Sequence, residues 1–131
     1  MITPSSVMLT RNLFDEHCGF NEEFKACEDY DLWLKITSNL PIGLIRKKLL
    51  IRYGGNPDQL SFRIKVLDRF RVKSMQNLLK TATLSTKQTD ACKKTLLKRA
   101  EILAKGYLKR EKFSKLEEIK RIIETYEQNR R

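Results

Sequence analysis

Glu28, Asp29 and Asp31 put three carboxylates within four residues, at the head of an apolar stretch that contains the only Trp, Trp33. Carboxylates gathered this closely can hold a cation or take up a proton, because each disfavours the charge on its neighbours. Seven of the sixteen acidic residues fall between Asp15 and Asp31, in a chain whose formal net charge is +11. The plainer reading is electrostatic: the N-terminal end of a helix carries partial positive charge and attracts acidic side chains. Asp31 is assigned to that plainer role. Glu28 and Asp29 are kept as candidates for chemistry, with Tyr30 and Trp33 beside them as contact or core aromatics.

The longer run Gly19-Phe20-Asn21-Glu22-Glu23-Phe24, followed by Glu28-Asp29-Tyr30-Asp31-Leu32-Trp33-Leu34-Lys35, resembles the acceptor-side segment of family 2 glycosyltransferases, which have the GT-A fold. Ile2-Thr3-Pro4-Ser5-Ser6-Val7-Met8-Leu9 is similar to the strand that precedes that segment. Gly54-Gly55-Asn56-Pro57-Asp58-Gln59-Leu60-Ser61 is similar to the loop that follows it. The resemblance covers about the first half of the chain. It implies an inverting transfer of a sugar from a nucleotide-sugar donor to the hydroxyl of a glycan or lipid-linked acceptor. Asp29 would then be the catalytic base and Glu28 its support. Tyr30, Trp33, Gly55 and Gln59 would bind substrate, with Trp33 either stacked on a sugar ring or in the core. A divalent metal, Mg or Mn, would neutralise the leaving diphosphate in the full-length enzyme. The family's donor half, with its Asp-x-Asp metal motif, does not precede Met1; the one Asp-x-Asp is Asp29-Tyr30-Asp31. The expectation is therefore a C-terminal portion that is inactive alone and binds no metal itself.

Composition narrows the classes. The chain has 131 residues, 40% hydrophobic and 33% charged, and no apolar run long enough to span a membrane. Nor does it open with the charged-then-apolar pattern of a signal peptide. Cys18, Cys27 and Cys92 are odd in number and lack paired spacing, and His17 is the only His. Neither a zinc site nor a disulfide framework is expected, and a reducing cytoplasm is the economical location. Charge is divided along the chain, with a net of −4 over residues 1–40 and +15 over residues 41–131. The basic side chains of the second part fall on several helix faces and are mixed with acids. They are read first as solvated surface and next as peripheral attraction to an anionic membrane. Specific nucleic-acid binding is not expected.

The elements that must position these groups follow from periodicity. Ser5–Thr10 reads as a short strand, Arg11–His17 as a short helix closed at Cys18-Gly19, and Glu28–Ser38 as a helix. Ile42–Tyr53, rich in Ile and Leu around Arg46-Lys47-Lys48, reads as two short strands. From about Asp58 the apolar period becomes helical. Ile64, Leu67, Arg71, Met75 and Leu78 mark one helix up to Lys80. Cys92, Leu96, Ala100, Leu103 and Tyr107 mark a second; Phe113, Leu116, Ile119, Ile123 and Tyr126 mark a third. Ala104, Tyr107 and Leu116 have spacings like those of a tetratricopeptide repeat, in a single copy.

The expected fold class is α/β: a truncated GT-A-like fragment with a few short strands over residues 1–61, then a mostly helical extension over 62–131 that ends in an antiparallel hairpin. The alternative function is a non-catalytic helical-hairpin module that docks on a protein partner.

Overall fold

The computed structural model describes residues 2–51, 53, 64 and 66–128. Its regular elements are helical. A 3₁₀ turn at Pro4–Ser6 is followed by α1 (Arg11–Glu16), α2 (Glu28–Asn39), α3 (Asp68–Thr81), α4 (Thr86–Lys109) and α5 (Phe113–Gln128). The chain divides into two compact units, Met1–Leu67 and Asp68–Arg131.

Among the described residues there is no strand. The α/β expectation is thereby corrected, and with it the resemblance to family 2 glycosyltransferases: a chain whose described regular elements are all helical does not fit a GT-A fragment. The segments read as strands show why. Pro at the first position of Pro4–Ser6 fixes a helical φ, and Ser6 turns back so that its hydroxyl donates to the Thr3 carbonyl at 3.0 Å. Pro41–Ile51 carries strand-like composition, but a strand exists only when a neighbour pairs its backbone. No described segment does so, and residues 41–51 lie exposed without regular structure.

In the first unit, Thr10 caps α1, its side chain accepting from the Leu13 amide at 3.2 Å. Cys18 and Gly19 end that helix in left-handed conformations, with φ of 58° and 59°. Gly19 sits hard against Phe14, where an added Cβ would come within 2.8 Å of the ring. Phe14 in turn meets Phe20 edge to face at 5.3 Å between centroids. This turn delivers the chain to α2, whose Leu32, Trp33 and Ile36 form the buried cluster. Val7, Leu9, Leu13 and Phe14 pack around it.

The second unit is a three-helix stack in chain order, with α4 packed against both α3 and α5. The core is built from Val72, Met75 and Leu78 of α3, from Leu96, Leu97, Ala100, Leu103 and Tyr107 of α4, and from Leu116, Ile119 and Tyr126 of α5. Each fully buried Val, Leu, Ile or Met contributes about 1.5–3 kcal/mol, and eight of the core residues named are of these types. Local signals set the helix ends. Ser85 and Gln88 form a reciprocal cap at the head of α4. Glu111 takes a left-handed φ of 53° in the three-residue link to α5. Asp68, at the head of α3, accepts from Arg71 at 2.8 Å and from Arg99 of α4 at 3.0 Å, which ties the two helices together.

Candidate functional site

The acidic cluster proposed from the sequence falls in the first turn of α2. Cys27, the N-cap, is itself left-handed with φ of 61° and gives no side-chain cap. Its thiol donates instead to the Leu67 carbonyl at 3.8 Å. The Asp29 carboxylate accepts from the Tyr30 amide at 2.7 Å, so one oxygen is held at the helix start, and Glu28, Asp29 and Tyr30 are all half-buried. Asp31, the carboxylate assigned the plainest role, is the most enclosed, with 2% of its side chain exposed. Lys35, one turn on, reaches it at 2.8 Å. Asp31 and Lys35 stand four residues apart on one helix face, a spacing from which the pair could have been read but was not.

Trp33 is 8% exposed and its ring belongs to the apolar cluster of α2, so the indole is a core group in this unit. Gly55 and Gln59 lie outside the described residues. The geometry therefore brings Glu28, Asp29, Tyr30 and Asp31 to one helix start and turns Trp33 inward. Among the described residues, no three His, Cys, Asp or Glu side chains are grouped so as to hold a metal ion.

A different site emerges in the second unit, where sequence periodicity had pointed only to packing. Because α4 lies between α3 and α5, the outer helices leave a groove of about 300 Å³ between them. Its floor is apolar: Val72 from α3, Leu103 and Tyr107 from α4, Ile119 and Ile122 from α5. Its rim is mainly cationic, with Arg69 and Lys73 on α3 and Lys115 on α5, beside one acid, Glu118. The Arg69 guanidinium lies over the Phe70 ring at 4.5 Å, which spreads an aromatic face along the rim. Gln76 shares a hydrogen bond with the Tyr126 hydroxyl and joins the two outer helices. Desolvation by burial raises the pKa of that hydroxyl, keeping it protonated.

Cys92, on α4, is a half-buried thiol of this unit. Its thiol donates to the Met75 carbonyl at 3.9 Å, and burial pushes its pKa from 9.0 up to about 11. It is therefore a neutral thiol near pH 7, without the thiolate that covalent or metal chemistry needs.

Ile122 belongs to the groove although the apolar stripe read from the sequence runs through Ile119, Ile123 and Tyr126. A recoverable signal was the pair Arg69 and Lys73, four residues apart on the face of α3 beside Val72 and Gln76. No family model, no curated protein and no solved structure matches the chain.

Proposed function

We propose that the chain is a non-catalytic helical interaction module, and that the groove between α3 and α5 receives an amphipathic, acidic helical segment of a partner protein. The observation that carries this reading is the groove itself: an apolar floor bounded by Arg69, Lys73 and Lys115. Helix-in-groove recognition uses this division of labour, with apolar side chains at i, i+3, i+4 and i+7 filling the floor. The cations select the partner by charge and speed its arrival more than they add affinity. A stack in which each helix packs on the next in chain order also resembles the unit from which helical interaction solenoids are built.

The test is selection from a randomised helical peptide library displayed against the full chain. Enriched peptides should combine an apolar stripe with Asp or Glu flanking it, and should shift the amide resonance of Lys73 and the methyl resonances of Ile119 and Ile122. Lys73→Glu with Lys115→Glu should weaken those peptides about tenfold or more, in the range of one or two reversed charge contacts. Selected peptides without acidic bias, or perturbations confined to residues outside the groove, would sink the proposal.

A further inference from the structure

Residues 40–51 present a second surface, independent of the groove. Ile42, Leu44, Ile45, Leu49, Leu50 and Ile51 are all exposed, and Leu44, Ile45, Leu49 and Ile51 are each at least 70% so. Arg46, Lys47 and Lys48 interrupt this apolar run at its centre, where the chain bends at Lys47. The sequence holds no Asp or Glu from Leu32 to Pro57, so nothing nearby in the chain neutralises the three cations. None of the three forms an ion pair among the described residues. Burying so many large apolar groups would be favourable, and leaving them in water marks an interaction site.

The charge pattern decides among occupants. A second copy paired antiparallel about Lys47 would set Arg46 against Lys48 and vice versa, and like charges directly opposite destabilise such a pairing. The occupant must offer negative charge and apolar depth within one short run of chain. An anionic lipid surface does both: its headgroups attract clustered Lys and Arg, and acyl chains begin just beneath. We propose that residues 40–51 are a membrane-surface contact, with Arg46, Lys47 and Lys48 at the headgroups and the flanking Ile and Leu side chains pressed into the interface. The backbone of Pro41–Ile51 makes no hydrogen bond among the described residues, so it stays at the hydrated headgroup level, where water satisfies it. The segment lies on the membrane and does not cross it.

The experiment is flotation of the full chain with vesicles of phosphatidylcholine alone and with about 30% phosphatidylglycerol, at physiological salt. Binding should require the anionic lipid. The variant Arg46→Gln, Lys47→Gln, Lys48→Gln should bind anionic vesicles about a hundredfold more weakly, as the loss of three headgroup contacts implies. Leu49→Ser, Leu50→Ser, Ile51→Ser should lose at least tenfold, whereas Lys93→Gln, Lys94→Gln, Lys98→Gln on α4 should lose no more than about threefold. All changes in the segment are at exposed positions, so an unaltered helical circular dichroism spectrum verifies the fold. The proposal is overturned if the Leu49–Ile51 variant binds like the parent, since general attraction of a basic chain would then suffice. It is equally overturned if the chain floats with neither vesicle.

Discussion

Cys92 shows how one burial decides a residue's chemistry. With its pKa raised from 9.0 to about 11 by desolvation, the folded chain holds the thiol proton more tightly than the unfolded chain does. A raised folded pKa gives stability that is complete below pH 9 and lost as pH climbs from 9 toward 11, because the unfolded state releases its proton first. Urea unfolding of the parent and of Cys92→Ala should therefore differ by a constant amount up to about pH 8. That difference should shrink through pH 9–11. A constant difference to pH 11 would mean that the thiol is not desolvated in solution. Exposed Cys18 should also react with iodoacetamide well ahead of Cys92. Asp31 makes the complementary point: the fold encloses it and Lys35 pairs with it, whereas Asp29 is half-buried and accepts from the Tyr30 amide.

At the scale of elements, ends are fixed by short-range chemistry and faces by packing. Thr10 and Ser85 cap their helices as polar N-caps should, and Cys18-Gly19 ends α1 in the left-handed turn that glycine tolerates. Glu111, like Cys18, Cys27 and Val66, carries a β-carbon at positive φ, here 53° in the link between α4 and α5. Left-handed backbone costs a non-glycine residue about 1–2 kcal/mol, so Glu111→Gly recovers part of that strain while giving up some unfolded-state entropy. The net expectation is a chain as stable as the parent or up to about 1 kcal/mol more stable, measured as a rise in melting temperature. A clear fall in melting temperature would show that the Glu111 side chain contributes something that the backbone argument omits.

For the molecule as a whole, the contrast is between two helical units and the exposed run that follows α2. Proteases need an accessible backbone free of regular hydrogen bonding, and Pro41–Ile51 meets that condition with three consecutive cleavage residues. Limited trypsin digestion should cut first after Arg46, Lys47 or Lys48, well before the many Lys and Arg bonds within α3, α4 and α5. Initial cleavage inside α4 would show that the second unit opens more readily than its core implies. No helix among the described residues is long and apolar enough to cross a membrane.

The helices of the second unit were legible in the sequence because an apolar period of three to four residues admits one conformation over that length. The periods through Met75 and Leu78, through Leu96, Ala100 and Leu103, and through Leu116 and Ile119 coincide with α3, α4 and α5. The polar break before Thr86, the tight link at Arg110–Lys112 and the left-handed end of α1 were local signals of the same kind. Strands were different. Ser5–Thr10 and Ile42–Tyr53 have the composition of strands, but pairing is a property of two segments, and one segment's composition does not supply the other. The family resemblance failed for the same reason, since it rested on residue types in order along the chain while the GT-A fold rests on a sheet. Tertiary structure alone turned Trp33 inward and enclosed Asp31. It also set α4 between α3 and α5, and only that arrangement opens the groove. Its floor and rim come from three helices, brought together by burial of their common apolar faces and not by any motif along the chain.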